Sequence, residues 1–248
     1  MIEETKNSMS KLKMFGMLKT VNLRLTEAQE SGWSYSELLS ALVLDEKSYR
    51  AQKSTEYKIK RAKFRGMASF DQFDFQSKRS IKKSQIEELK QLSFLKNKQN
   101  LLLLGATGVG KTFLATAIGH HACHEGFTCH FIGLNLFVEE ASLHRTAGTF
   151  LKFRDRLIRP DLLILDDLGI KTLTSTAVQD LYDILEERYQ NKSTLITSQL
   201  PIANWKEVID DEVALEAILD RVVYGQRIEI TGESYRKNNR VDRKKGDQ

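Results

Sequence analysis

The chain has 248 residues, 41% hydrophobic and 29% charged, which suits a globular protein with one good core and a small second domain. No apolar run approaches the ~20 residues of a membrane span, and the opening Met1-Ile-Glu-Glu-Thr is acidic where an export signal is apolar, so a cytoplasmic protein with no membrane partner is expected. A net charge of +5 and a pI near 9.0 favour a polyanionic partner, nucleic acid ahead of a membrane surface, while Cys123 and Cys129 make neither a CxxC pair nor a disulfide framework.

From the N-terminus, Met14, Leu18, Val21, Leu25 and Ala28 recur at the spacing of one helix face, which predicts a helix over 11–31 ended by Gly32. Ser34 and Glu37 match a capping box for a second helix whose apolar side is Leu38, Leu39, Leu42 and Val43. A third helix is expected over 46–65, giving a small all-helical domain over 1–66. Gly66 and the run Phe70-Asp71-Gln72-Phe73-Asp74-Phe75 read as a linker over 66–79, and helical periodicity returns at Ile81, Ile86, Leu89 and Leu92. From Asn100 onward strands are expected at 101–104, 128–132, 162–165, 193–197 and 226–230, with helices between them. That alternation predicts a parallel sheet covered by helices, an α/β domain over 67–248.

The first strand runs into Gly105-Ala106-Thr107-Gly108-Val109-Gly110-Lys111-Thr112, a complete P-loop pattern placed between a strand and a helix. Glycine-rich turns also serve packing alone, but such a turn has no reason to match every position. The glycines let the backbone curl so that N–H groups point at phosphate oxygens, and the helix N-terminus adds partial positive charge. Lys111 is expected to reach the β- and γ-phosphates and Thr112 to hold Mg²⁺, with Phe113 closing the ATP-binding stretch.

Asp161-Leu-Leu-Ile-Leu-Asp166-Asp167 is an apolar strand ending in two carboxylates. Beside a P-loop strand its tip faces the γ-phosphate, where Asp166 contacts Mg²⁺ and Asp167 polarises the attacking water. A later strand ends in Thr197-Ser198-Gln199, where a polar side chain can sense the γ-phosphate or align water; the choice between Thr197 and Ser198 stays open. Arg221 and Arg236 are either surface residues or cations for the transition state, and a neighbouring subunit can supply such a cation.

These motifs, with Leu-Leu-Ile-Leu-Asp-Asp-Leu-Gly, Thr-Ser-Gln-Leu-Pro, Leu-Asp-Arg and Ser-Tyr-Arg in that order, resemble AAA+ ATPases of the initiator and helicase-loader clade. More closely, the chain resembles the IstB-like ATPases, transposition helpers of bacterial insertion sequences, over roughly residues 10–240; Glu37-Leu-Leu-Ser-Ala-Leu-Val-Leu-Asp45-Glu46 matches their N-terminal pattern. The resemblance implies a helical N-terminal domain, an αβα AAA+ core and a reduced helical C-terminal part. It implies Asp166 and Asp167 as the Walker B pair, Ser198 as sensor 1, Arg221 as the trans-acting arginine finger and Arg236 as sensor 2. Many AAA+ proteins carry glutamate at the second Walker B place, so Asp167 departs from the commoner pattern.

Residues 47–65 hold eight cations, Lys47, Arg50, Lys53, Lys58, Lys60, Arg61, Lys63 and Arg65, against the single acid Glu56. Arg50, Lys53, Tyr57, Arg61 and Arg65 fall on one helix side, and with Lys58 they are the expected contacts to a phosphate backbone rather than an ordinary solvated face. Residues 142–159, with His144, Arg145, Lys152, Arg154, Arg156 and Arg159, are a weaker second candidate, diluted by Asp155 and Asp161. The tail after Arg236 is also basic. His120, Cys123, His124 and Cys129 look superficially like metal ligands, but their helix must bury one side. The expected function is ATP-dependent oligomerisation, as a ring or helix, on double-stranded DNA, with activation of a transposase from the same element. The alternatives are a DnaC-like replicative helicase loader on single-stranded DNA and a metabolic P-loop kinase, against which the basic helix and late arginines argue.

Overall fold

The computed structural model describes residues 2–73 and 80–232, and the chain divides into two compact units, Met1–Tyr57 and Lys58–Gln248. No helix among the described residues is long and apolar enough to cross a membrane.

The first unit is built from α1 (Ile2–Lys11), α2 (Phe15–Ser31) and the greater part of α3 (Tyr35–Ala62). The expected helix over 11–31 starts later, because Lys13 turns the chain at φ 58°. It ends as expected: Gly32 takes the left-handed conformation and its N–H bonds Ala28 O. The Ser34–Glu37 capping box forms, with Glu37 Oε2 accepting Ser34 N–H at 2.7 Å and Ser34 Oγ accepting Glu37 N–H at 3.3 Å. The two helices expected over 35–65 are instead one. Asp45 and Glu46, which look like an interruption, stay helical and turn to α2: Asp45 pairs with Arg24, and buried Glu46 accepts the N–H groups of Gly16 and Met17 at 2.6 and 3.1 Å. Glu46 thus satisfies two of the free donors that begin α2.

The second unit carries α4 (Lys83–Lys90), α5 (Ser93–Lys96), β1 (Asn100–Leu104), α6 (Lys111–His124), β2 (Cys129–Gly133), α7 (Leu134–Thr146), α8 (Phe150–Ile158), β3 (Leu162–Leu168), α9 (Ser175–Arg188), β4 (Ser193–Ser198), α10 (Glu212–Val222) and β5 (Gly225–Glu229). All pairings are parallel, in the order β2-β3-β4-β1-β5. Alternate strand residues feed two cores. Leu101, Leu103, Ile164 and Leu195 meet α4 to α6 on one face; Leu102, Leu104, Leu165 and Ile196 meet α7 to α10 on the other. Burial on both faces explains why the strands read as continuous apolar runs.

The unit boundary at 57/58 lies ahead of the expected boundary at 66, because Ala62 is fully buried in this core and Ile59 and Phe64 pack against it. Part of the expected linker is core as well: Phe70 and Phe73 are buried around a 3-10 turn over Phe70–Gln72. Residues 74–79 lie outside the described part.

Candidate nucleotide site

β1 passes into a loop whose glycines take conformations that L side chains resist, φ 145° at Gly105, 85° at Gly108 and 105° at Gly110, before α6 begins at Lys111. A Cβ on Gly105 would lie 2.1 Å from Ile230 O, so that place accepts no side chain. Lys111 is buried, and its Nζ donates to Gly105 O and Ala106 O at 2.7 and 2.9 Å, curling over the loop. Thr107 Oγ1 donates to Gln199 Oε1 at the end of β4, which ties the loop to the neighbouring strand.

Because β3 lies two places from β1 with β4 between them, the Asp166 and Asp167 carboxyls come to the mouth of the loop. Asp166 is completely buried; its Oδ1 accepts from Thr112 Oγ1 at 3.0 Å and Thr197 Oγ1 at 2.7 Å, while its Oδ2 has no hydrogen-bond donor. Burial pushes the Asp166 carboxyl above the usual carboxylate range against the pull of these hydroxyls. Asp167 sits in left-handed backbone at φ 65°, and its N–H bonds Thr197 Oγ1 at 2.9 Å. A buried carboxylate oxygen that has no hydrogen-bond donor and meets a guanidinium at 3.5 Å, beside a threonine hydroxyl, is a hard-oxygen donor set that fits Mg²⁺.

Of Thr197 and Ser198, Thr197 is the one that contacts the two acids. Ser198, the expected sensor, has its hydroxyl 3.0 Å from both Leu168 O and Leu200 O, which share its one proton, and accepts Leu200 N–H. Its hydroxyl is spent on the strand end; Thr197 touches the acids and Gln199 the loop. Consecutive side chains on a strand point to opposite faces, so a one-residue shift exchanges the roles.

Arg221 is anchored at the other end of β1 from the P-loop. Its carbonyl accepts from Asn100 Nδ2 at 2.7 Å, at the start of β1, whereas the P-loop follows the end of that five-residue strand, about 13 Å away at strand rise. Its guanidinium pairs with Glu186 and Asp220 and lies 5.5 Å from the Tyr182 ring. Arg236 lies outside the described residues.

The basic stripe is partly compensated. Arg50 bonds Glu46 at 2.7 Å, Lys53 bonds Glu56 at 2.6 Å, and Lys58 Nζ donates to Gly126 O at 2.6 Å. Arg61 stays on α3, while Arg65 lies beyond the helix end and leaves the stripe: its Nη1 stands 3.4 Å from Asp167 Oδ2 and 3.5 Å from Asp166 Oδ2. No local pattern announces a contact across 102 residues. In the second basic candidate Arg145 pairs with Asp180, Arg156 with Glu140 and Arg159 with Asp155. His120 and His121 bond the carbonyls of Gly66 and Lys90.

Among solved structures the fold is similar to DnaI (TM-score 0.57, 23% identity, covering 66% of this chain and 91% of that one) and to the DnaC helicase loader (TM-score 0.55, 22% identity, 66% and 97%). These likenesses show a P-loop AAA+ fold. Among curated proteins the chain is 33% identical over 237 residues to the insertion sequence ATP-binding protein y4pL of Sinorhizobium fredii, spanning 95% of this chain and 97% of that one. It is 31% identical over 229 residues to the protein named as the ATP-binding protein of insertion sequence IS21 from Pseudomonas aeruginosa, at 92% and 86% coverage. The family model for IstB-like ATP binding protein matches residues 7–243. With its P-loop and paired acids in an AAA+ fold, the chain belongs to the IstB-like ATP-binding protein family and is an ATPase.

Proposed function

We propose that this ATPase assembles on duplex DNA in an ATP-dependent way and helps a transposase of the same insertion sequence. The reading rests first on the Thr112–Asp166–Thr197 cluster, in which one buried carboxylate oxygen has no hydrogen-bond donor. The loop N–H groups and Lys111 hold the β- and γ-phosphates, whose oxygens are stronger acceptors for Nζ than the Gly105 and Ala106 carbonyls. Thr112 and Asp166 hold Mg²⁺, which when bound neutralises the charge that develops on the phosphates. Asp167 orients the attacking water, Thr197 fixes both acids, and Gln199 steadies the loop at Thr107. Arg221, remote from its own P-loop, supplies the transition-state cation to the next protomer, so hydrolysis depends on assembly.

The names of the relatives, each an insertion sequence ATP-binding protein, support the transposition reading, and the exposed cations of α3 support DNA. Contacts from Arg50, Lys53, Lys58 and Arg61 to the phosphate backbone give affinity with little sequence information. Fluorescence anisotropy at fixed salt tests this, comparing duplex and single-stranded DNA with ATP, with a slowly hydrolysed analogue and without nucleotide. Duplex binding that requires nucleotide and disappears in Lys111→Ala is expected. A preference for single strands would move the assignment to helicase loading, and DNA binding indifferent to Lys111→Ala would sink the coupling to ATP.

A further inference from the structure

Arg65 is three residues past the end of α3, beyond a turn in which Lys63 takes φ 59°. Its guanidinium lies across Gly133, the last residue of β2 and the register partner of Asp166. A Cβ on Gly133 would lie 2.3 Å from Arg65 Nη2, so the seat exists because that position has no side chain. The Phe131 ring, 5.7 Å from Cζ, flanks it. From this seat one Nη1 faces both Walker B carboxylates, at 3.5 Å from Asp166 Oδ2 and 3.4 Å from Asp167 Oδ2. A structural arginine usually forks onto one carboxylate; here a single nitrogen is shared between two acids, beside the buried oxygen that has no hydrogen-bond donor.

We propose that Arg65 is a built-in competitor for the divalent cation, a guanidinium that neutralises Asp166 and Asp167 until metal–nucleotide displaces it. The inference rests on Asp166 being the metal ligand. A divalent cation on Asp166 Oδ2 stands within a few ångströms of the guanidinium, and like charges that close in a partly buried site repel strongly. The guanidinium is the partner that yields, since its side chain is 54% exposed and long. Arg65 then swings out when ATP binds, and residues 63–65 report the state of the site to the end of α3.

The test uses the full chain saturated with a slowly hydrolysed ATP analogue and titrated with Mn²⁺, with free Mn²⁺ read by electron paramagnetic resonance. Arg65→Gln removes the competing charge; Gly133→Ala keeps the charge and evicts it from its seat. Both are expected to tighten Mn²⁺ by roughly five- to tenfold, the size of an ordinary coupling between two ligands. Metal-free binding of a fluorescent nucleotide, unchanged in both, shows that the P-loop is intact. Wild-type or weaker Mn²⁺ affinity in either variant overturns the proposal. Asp166→Asn separates the two readings: if it leaves Mn²⁺ affinity unchanged, the metal-site assignment falls, whereas if it weakens Mn²⁺ while the other variants match wild type, only the role of Arg65 falls.

Discussion

Asp166 is unusual in how little of its environment is free to adjust. It is fully buried, with one oxygen held by two threonine hydroxyls and the other, without a hydrogen-bond donor, 3.5 Å from the Arg65 guanidinium. Thr197→Val keeps the shape of that pocket but deletes both the bond to Asp166 and the acceptor for Asp167 N–H. If Asp166 holds Mg²⁺ as proposed, the turnover rate of ATP hydrolysis is expected to fall ~10- to 100-fold, with nucleotide affinity nearly unchanged; a wild-type rate in a steady-state assay would remove Thr197 from the mechanism. His130, buried on β2 among Arg156, Lys63, Arg188 and Arg61, is held down to about 4, first by burial and then by those cations. It is therefore neutral in the fold, whereas the unfolded chain takes up its proton near 6.5. Stability is full above pH 6.5 and declines toward pH 4, at up to about 1.4 kcal/mol per pH unit from this group. His130→Leu should flatten that limb in urea melts taken across the window, and an unaltered slope would place the titration elsewhere.

At the scale of elements, α2 and α3 approach closely at Gly16. A Cβ on Gly16 would lie 2.5 Å from Glu46 Cα and 2.7 Å from Asp45 O, both backbone atoms that cannot step aside alone. Gly16→Ala is expected to cost the helical unit about 1–3 kcal/mol, as overpacking does, measurable as loss of its unfolding midpoint; an unshifted midpoint would mean the helices can separate without cost. Caps were legible here because they are local: Gly32 and the Ser34–Glu37 pair act within one turn of their own helix. The continuity of α3 was not, since Asp45 and Glu46 are explained by Arg24, Gly16 and Met17 on another helix. Phe70 and Phe73 misled for the same reason, reading as a polar stretch until the core they enter is known.

For the whole molecule, the sheet order decides which residues meet. β4 lies between β1 and β3, so its end touches both the P-loop, through Gln199, and the acids, through Thr197. Arg221 is bound to the opposite end of β1 and to Glu186. If it works on a neighbouring protomer, Lys111→Ala and Arg221→Ala chains should each be inactive alone yet recover ATPase activity when mixed. Some mixed interfaces then join an intact P-loop to an intact arginine. A mixture no more active than its components would return Arg221 to a surface role.

The P-loop pattern and the α/β class were determined by the sequence itself, because a phosphate cradle needs particular residues at adjacent positions and a doubly covered strand needs an unbroken apolar run. Tertiary structure alone decided that Thr197 rather than Ser198 faces the acids, that Ala62 and Phe64 belong to the ATPase core, and that Arg65 leaves the basic stripe for Asp166 and Asp167. Those outcomes depend on strand facing, on burial and on charges brought together across about a hundred residues of chain, where local spacing carries no signal.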